Sequence, residues 1–174
     1  MTDPDAPFHI KWAWDLGLDP GSPFSGRVNS GGRGEATPDH LITLRGMNEA
    51  VTILAPTRWM RQEDPTLWYV FCRNFWNVVR ELWPVEFDDP KSHKLQTIPG
   101  QRGLARFGQQ ILRGVLASQD MSEALIRSAF SNDGSRVNWR REGIFREATG
   151  KAGQRIVYEE LIRRYGNPLT GRSP

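Results

Sequence analysis

Apolar residues recur at helical spacing between Asp64 and Pro84, in the most apolar and aromatic stretch of the chain. One stripe of a single long helix would carry Leu67, Phe71, Phe75, Val78, Val79 and Leu82. Asp64 suits the N-cap and Pro65 suits the first helical position, where its missing N–H has no partner to lose. Trp83 precedes a proline and so leaves the α region. The pattern therefore predicts a central helix over 65–82.

Further helices are predicted on either side of this central helix by the same spacing. Thr43 caps a helix over 44–54, and a second long helix covers 101–116. Within 101–116 the glycines at 103, 108 and 114 weaken helix propensity but favour close helix contact. Asp120 and Glu123 form a capping box for a short helix through Phe130. The last helix is predicted over 154–165, and Gly166 ends it.

The fold class predicted from these elements is mainly α, a compact helical domain around the central Trp- and Phe-rich helix. Residues 1–39 are expected to form an irregular N-terminal arm, residues 40–166 the helical domain, and residues 167–174 a flexible tail. Alternating apolar residues predict a short extended segment over 9–18. At most a short two-stranded β element is expected, pairing 26–28 with 41–42 across a glycine-rich loop. A connector without regular structure is expected over 85–94.

Trp68, Trp76 and Trp83 add aromatic surface beyond the single apolar stripe of the central helix. They therefore predict a helix that is buried on two sides. Burying one such ring contributes roughly 2–3 kcal/mol. The alternative is a stacking platform for bases. Cys72, the single cysteine of the chain, lies in the same cluster and is expected to be a buried, inert thiol.

Composition favours a water-soluble globular protein, with 38% hydrophobic residues among 174. No apolar run approaches the ~20 residues of a membrane-spanning helix. The first residues, MTDPDAPF, lack both the basic and the apolar region of a signal peptide. The sequence therefore predicts a cytoplasmic protein without a membrane partner.

Charge is distributed unevenly along the chain. Residues 1–90 hold 8 basic and 13 acidic residues, whereas residues 91–174 hold 15 basic and 7 acidic ones. A basic C-terminal half favours contact with DNA or another polyanion, although a solvated helical surface has the same composition. The candidate phosphate-contacting residues are Arg102, Arg106, Arg113, Arg136, Arg140, Arg141, Lys151 and Arg155.

Two short motifs within that half carry their own alternatives. Trp139 lies between arginines at 136, 140 and 141, which suits single-strand contact, but such a tryptophan more often anchors its segment in the core. The segment ATGKAGQR at 148–155 opens a predicted helix and can hold an anion on free amides. It differs from a Walker loop in glycine spacing and in lacking Ser or Thr after Lys151.

The sequence offers no persuasive catalytic constellation. The three histidines, His9, His40 and His93, are scattered, and His93 is expected in an exposed stretch. Asp88 and Asp89 form a pair in a proline-bounded segment that favours solvation over catalysis. No metal and no cofactor is expected, and an enzyme whose site is assembled from distant parts remains the third hypothesis.

Four segments together resemble the C-terminal part of the DGQHR-domain family of bacterial proteins. They are SPFSGRV at 22–28, LITLRGM at 41–47, FCRNFWNVVRELWP at 71–84 and KLQTIPGQRGLARFGQQIL at 94–112. The resemblance covers about residues 15–116, and its motifs are patterns of packing residues. The signature pentapeptide of the family, which belongs to an N-terminal α/β part resembling ParB-like folds, is absent here.

This resemblance implies a chain equivalent to the helical half of that family. Its members are associated with DNA modification and phage-defence gene sets, including phosphorothioation, and some are thought to be DNA-binding regulators. The resemblance carries over no catalytic residue. It implies a non-enzymatic helical module that binds DNA or supports a DNA-associated complex. The alternative is a protein-interaction module that docks onto a separate α/β partner.

Overall fold

The computed structural model describes residues 6–31, 36–56, 64–131 and 136–166. Within these ranges the chain forms seven helices and one two-stranded parallel sheet, which confirms the mainly α fold class. In chain order the elements are α1 (Ala6–Leu18), β1 (Val28–Asn29), β2 (Ile42–Thr43), α2 (Leu44–Leu54), α3 (Pro65–Leu82), α4 (Pro84–Asp88), α5 (Ile98–Leu116), α6 (Glu123–Ser128) and α7 (Gly150–Tyr165).

Helix α3 is the centre of the core and has the predicted bounds. The Asp64 side chain accepts a hydrogen bond from the Thr66 amide at 2.8 Å, and the helix ends at Trp83. Its buried residues are Trp68, Phe71, Cys72, Phe75, Trp76, Val78 and Val79. At about 100° per residue these positions fall within one arc of roughly 160°, so α3 buries one broad face and the prediction of burial on two sides is wrong. The tryptophans lie in that face as core residues rather than as a stacking platform.

Helix α5 begins at Ile98, three residues before the predicted start. Thr97 is the N-cap, its hydroxyl accepts from the Gly100 amide at 3.4 Å, and Pro99 is tolerated in the first turn. The predicted inner stripe is buried, and its members are Leu104, Phe107, Ile111, Leu112 and Val115.

Two glycines of α5 allow other helices to approach closely. A Cβ at Gly108 would lie 2.5 Å from Leu54 Cδ1 of α2 and 2.7 Å from a ring carbon of Phe75 in α3. A Cβ at Gly103 would lie 2.4 Å from Val157 Cγ1 of α7. The predicted close contact with the central helix is therefore confirmed at Gly108.

The extended segment predicted over 9–18 is wrong, because these residues form α1. Sequence alternation drew attention to Ile10, Trp12, Trp14 and Leu16. The buried set is instead spaced as in a helix and consists of His9, Trp12, Ala13 and Leu16. Trp12, Ala13 and Leu16 join the common core, so Ala6–Leu18 is helical and not part of an irregular arm.

The connector predicted over 85–94 contains the short helix α4. Pro84 fits the first helical position, and the Trp83 carbonyl accepts from the Phe87 amide at 2.8 Å. Phe87 is buried, which stabilises this turn against the core. Helix α6 is also shorter than predicted, and its N-cap is Ser122 rather than Asp120.

Helix α7 starts at Gly150, whereas the sequence predicted a loop to 153 and a helix from 154. The Gly153 amide donates to the Thr149 carbonyl at 2.8 Å, which closes the first turn. A Cβ at Gly153 would lie 2.4 Å from the Ala148 carbonyl carbon, so only glycine lets the helix begin this close to the preceding chain. Gly153 therefore has a structural role, because it lets the first turn of α7 pack against Ala148.

Strands β1 and β2 pair in parallel, with Val28 opposite Ile42 and Asn29 opposite Thr43. The predicted two-stranded element is therefore present, shifted by about one residue. No helix within the described ranges is long and apolar enough to cross a membrane. The predictions for the glycine-rich loop at 32–35 and for the tail at 167–174 concern positions outside the described residues.

Candidate anion-binding pocket and basic cluster

Three of the predicted phosphate-contacting arginines already have partners, two of them on a neighbouring helix and one on the same helix. Arg102 of α5 forms an ion pair with Glu49 of α2. The guanidinium of Arg106 lies 4.6 Å from the centre of the Tyr158 ring. Arg155 lies 3.5 Å from Glu159, one turn along α7. Each of these cations therefore already has a role in helix contacts or surface pairing.

The pair between Arg102 and Glu49 also affects ionisation. Burial raises the pKa of Glu49, but the hydrogen bond and charge of Arg102 outweigh it and lower the pKa below its ordinary value. Arg102 thus stabilises the contact between α2 and α5.

Three other predicted cations are exposed at separate positions. Arg113 lies in the last turn of α5, Lys151 in the first turn of α7, and Arg136 in the segment before Trp139. Because Lys151 belongs to the helix itself, the anion-holding loop expected at 148–155 is replaced by a helical turn.

The remaining two predicted residues, Arg140 and Arg141, lie on a segment that pairs with another basic segment. The Lys94 amide donates to the Trp139 carbonyl at 2.7 Å, and the Arg141 amide donates to the Ser92 carbonyl at 3.2 Å. These bonds surround an antiparallel bridge between residues 93 and 140. We call the four cations of these two segments, Lys91, Lys94, Arg140 and Arg141, the basic cluster.

Trp139 holds the basic cluster on the core. It is fully buried, and its ring lies 5.5 Å from that of Trp83 and 5.1 Å from that of Phe145. The interpretation of Trp139 as a core anchor between solvated arginines is therefore confirmed. The segment is fixed by an aromatic contact and by backbone bonds, so its position does not depend on ion pairs of Arg140 or Arg141.

His93 lies inside the basic cluster and is half-buried, contrary to the prediction of an exposed residue. Its Nδ1 is 3.1 Å from the Asp89 carbonyl oxygen and 3.6 Å from the Asp89 carboxylate. Hydrogen bonds from Ser92 are the main cause of a lowered pKa at Asp89. Asp89 is thus an anion at neutral pH and reduces the local positive charge by one.

A cavity of about 290 Å³ lies beside the basic cluster, where several element ends meet. β1 and β2 end at it, α2 begins directly after β2, and α5 begins on its other side. The lining residues are Asn29, Ala36, His40, Leu41, Ile42, Thr43, Gly46, Gln96, Thr97, Ile98, Gln101 and Arg141. We call this cavity the pocket.

The electrostatic character of the pocket follows from this lining. Among the described lining residues, Arg141 is the only permanently charged one, and none of them is Asp or Glu. The positive ends of the α2 and α5 dipoles lie at the pocket, while the Gly46 and Gly100 amides are already capped by Thr43 and Thr97. The pocket therefore attracts anions.

Two buried glutamines form the floor of the pocket. Gln101 Nε2 donates to Gln96 Oε1 at 2.9 Å, and both residues are at most 3% exposed. Gln96 Nε2 is buried and has no hydrogen-bond partner. A buried donor without an acceptor costs about 1–3 kcal/mol, so this atom favours a ligand oxygen.

The described residues do not offer nucleophilic or metal chemistry. Burial raises the pKa of the Cys72 thiol, which keeps it protonated at neutral pH. No group of three or more His, Cys, Asp or Glu residues within the described ranges has the proximity of a metal site. The pocket and the basic cluster can bind and orient an anion.

Sequence reasoning missed the pocket and half of the basic cluster. Lys91 and Lys94 are 46 or more positions from the arginines they join, so no local pattern connects them. A signal for the pocket did exist in QTIPG at 96–100, where a Thr cap and a proline mark a helix start after a glutamine.

Fold and site define a mainly helical domain with an electropositive pocket beside a basic cluster. No family model matches the chain, and comparisons with curated proteins and with solved structures also give no match.

Proposed function

We propose that this chain is a non-enzymatic helical module that binds DNA through its phosphates. The observation that carries the proposal is the pairing of the 92–94 backbone with the 139–141 backbone, which assembles the basic cluster from two distant segments. Lysine and arginine side chains on a rigid support release counterions when they neutralise phosphates. Ordinary solvated arginines need no such backbone pairing.

The existing partners of each arginine indicate how much it can contribute to phosphate binding. Arg140 is exposed and forms no ion pair with any described residue, and Arg141 uses one N–H for the Pro90 carbonyl at 2.7 Å. Arg102, by contrast, is engaged with Glu49. We therefore assign the main phosphate contacts to the basic cluster and smaller ones to the helical arginines.

The likeness to the helical part of the DGQHR-domain family supports the choice of DNA over other polyanions. It remains a prediction, as does a role in a complex for DNA modification or phage defence. Two of the segments that carry the likeness, 41–47 and 94–112, also supply most of the pocket lining.

The test is binding of the purified chain to a generic duplex and to a single strand, measured by fluorescence anisotropy across salt concentrations. We expect affinity to fall steeply with salt, with a slope near −0.9 per phosphate contact for duplex DNA. Arg140→Ala with Arg141→Ala should weaken binding about tenfold and reduce the slope by about two contacts. Thermal stability should change little.

A charge-matched control is Lys11→Ala with Arg127→Ala. These cations lie on α1 and α6 and pair with Asp15 and Glu81. The control removes the same charge but should leave DNA affinity within about twofold, since it touches no residue of the basic cluster. Equal losses in the two double variants would reduce the proposal to a net-charge effect, and no binding at low salt would overturn it.

A specific observation favours a second function, docking onto a protein partner. Ile10, Trp14 and Leu18 follow one another at intervals of four along α1 and are 49%, 43% and 70% exposed. An apolar helical stripe of this kind is typical of a protein-contact surface. This surface matches the alternative in which the module docks onto a separate α/β partner.

Self-association of the isolated chain is the measurable consequence of this second function. Sedimentation at increasing concentration should show association that Trp14→Ser with Leu18→Ser abolishes. A chain that stays monomeric at the highest concentrations would count against the stripe as a docking surface.

A further inference from the structure

We propose that the pocket binds a phosphate monoester of nucleotide size. This inference shares Arg141 with the proposed DNA surface and is otherwise independent of it. Its basis is a cavity with one end suited to a phosphate, a buried donor that lacks an acceptor, and apolar walls.

The phosphate end is formed by Arg141 and by two helix starts. The Arg141 guanidinium is positioned by its bond to the Pro90 carbonyl at 2.7 Å, and it keeps further N–H donors for a ligand. Helices α2 and α5 have 11 and 19 residues, and both begin at the pocket. Pro99 has no N–H, and the Gly46 and Gly100 amides donate to their threonine caps, so the two helices contribute mainly the positive ends of their dipoles to an oxyanion. None of the described lining residues is a carboxylate that would oppose it.

Gln96 is the independent sign that something is missing from the pocket. It lines the cavity, is 2% exposed, and its Nε2 has no acceptor, while its Oε1 is occupied by Gln101. Six other buried side-chain atoms within the described ranges also lack a partner, four of them tryptophan Nε1 atoms, and Gln96 differs from those tryptophans in belonging to a residue that lines the pocket. A ligand oxygen or ring nitrogen at this position would complete the pair.

Size and wall chemistry identify the rest of the ligand. A volume of about 290 Å³ is far larger than inorganic phosphate requires and lies close to the lower end of small-molecule sites. Leu41, Ile42 and Ile98 provide apolar surface, and glutamine amides can pair with the edge of a base. A nucleoside monophosphate has all three parts that this lining accommodates.

Calorimetric titration with AMP, adenosine and inorganic phosphate tests the assignment. We expect AMP to bind at least tenfold more tightly than either adenosine or phosphate alone. Gln96→Leu, which keeps the size but removes the donor, should weaken AMP binding about tenfold. Equal affinity for AMP and adenosine, or no heat with AMP at millimolar concentration, would overturn the proposal.

Ile98→Asp provides a variant that does not depend on altering the buried pair. Ile98 is 57% exposed and occupies the first position of α5, where a carboxylate favours the helix dipole. The variant should therefore be at least as stable as the parent and yet lose AMP affinity tenfold or more. Ile98→Asn is the neutral control, and equal AMP binding by the Asp and Asn variants would contradict a phosphate in the pocket.

The source of the phosphate is resolved by a second pair of ligands, a single strand with a 5′-phosphate and the same strand with a 5′-hydroxyl. Preference for the phosphorylated strand over AMP identifies a nucleic-acid end, whereas preference for AMP identifies a free nucleotide. Because the pocket is assigned to a terminal phosphate and the duplex to the basic cluster, Ile98→Asp should leave generic duplex binding within about twofold. Failure of the pocket and failure of the DNA surface are thereby measured separately.

Discussion

The middle of α5 and its N-terminal end are interfaces of opposite kinds within one helix. In the middle, Gly108 and Gly103 let side chains of α2, α3 and α7 reach the helix surface. The core at this point is completed by the chain itself, through shape and apolar contact. Nothing in the middle of α5 requires a further molecule.

The N-terminal end is polar, and the chain does not complete it. Gln96 and Gln101 satisfy each other only in part, and both line a cavity that Arg141 also lines. This difference between a completed apolar interface and an incomplete polar one indicates which part of α5 is available for binding. An unpaired buried donor on a residue that lines a cavity, such as Gln96, is more informative than the unpaired tryptophan Nε1 atoms enclosed by the apolar core.

Overfilling the middle of α5 should produce the largest effect of any change considered. Gly108→Val places three carbons where even a Cβ would lie 2.5 Å from Leu54 Cδ1 and 2.7 Å from the Phe75 ring. We expect the free energy of unfolding to fall by about 2–3 kcal/mol, measured by urea denaturation.

The control for this change lies in the same helix. Gly114 is exposed, and Gly114→Ala should stabilise the protein by up to about 1 kcal/mol through helix propensity. If both substitutions were tolerated alike, close packing would not distinguish the middle of α5 from its surface.

The helices were predictable because local signals and packing agree. The caps at Thr43 and Asp64 and the stripe of α5 specify α2, α3 and most of α5 without tertiary information. α1 was mistaken for an extended segment because Ile10 and Trp14 are apolar yet exposed. Their exposure interrupts the helical pattern that His9, Trp12, Ala13 and Leu16 otherwise show.

The candidate site was less accessible to sequence reasoning. Arg140 and Arg141 were predicted from their local spacing, but Lys91 and Lys94 reach them through a backbone pairing that no local pattern encodes. The start of α7 was also missed, because the clash that requires Gly153 involves Ala148 and depends on the folded path of the chain. Sites formed where helices begin, or where distant segments pair, cannot be located before the fold is known.

A double-mutant cycle on Gln96 and Gln101 measures how much this polar pair contributes to stability at the N-terminal end of α5. Gln101→Leu removes the 2.9 Å bond to Gln96 and leaves both polar atoms of Gln96 without partners. We expect a loss of about 1–2 kcal/mol in unfolding free energy. Adding Gln96→Leu removes the unpaired amide of Gln96, so the double variant should recover most of the lost unfolding free energy.

The same double variant should bind AMP at least tenfold more weakly than the parent. Stability recovered while ligand affinity is lost would show that the polar pair is retained for binding. If the double variant were less stable than the sum of the single losses, the pair would instead be a structural part of the core.

The smallest effect concerns the outer side of the well-packed region, where Glu160 of α7 accepts from Arg163 and Arg164 at 2.7 Å. Burial raises the pKa of Glu160, but the two arginines outweigh it and lower the pKa below its ordinary value of 4.5. The folded form therefore binds fewer protons than the unfolded form in this range. Stability is fully present above about pH 4.5 and falls as the pH is lowered through the folded-state pKa.

Chemical denaturation between pH 7 and pH 3 measures this loss. Glu160→Gln should flatten part of the acid slope and leave the rest to Glu49 and Asp88, whose pKa values are lowered in the same way by arginine partners. Glu147→Gln, at an exposed position, should leave the slope unchanged. An acid slope insensitive to Glu160→Gln would show that its ion pairs do not couple to folding. Because none of the described pocket-lining residues is a carboxylate, AMP affinity should not follow this carboxylate titration, which separates ligand binding at the N-terminal end of α5 from acid-dependent stability at α7.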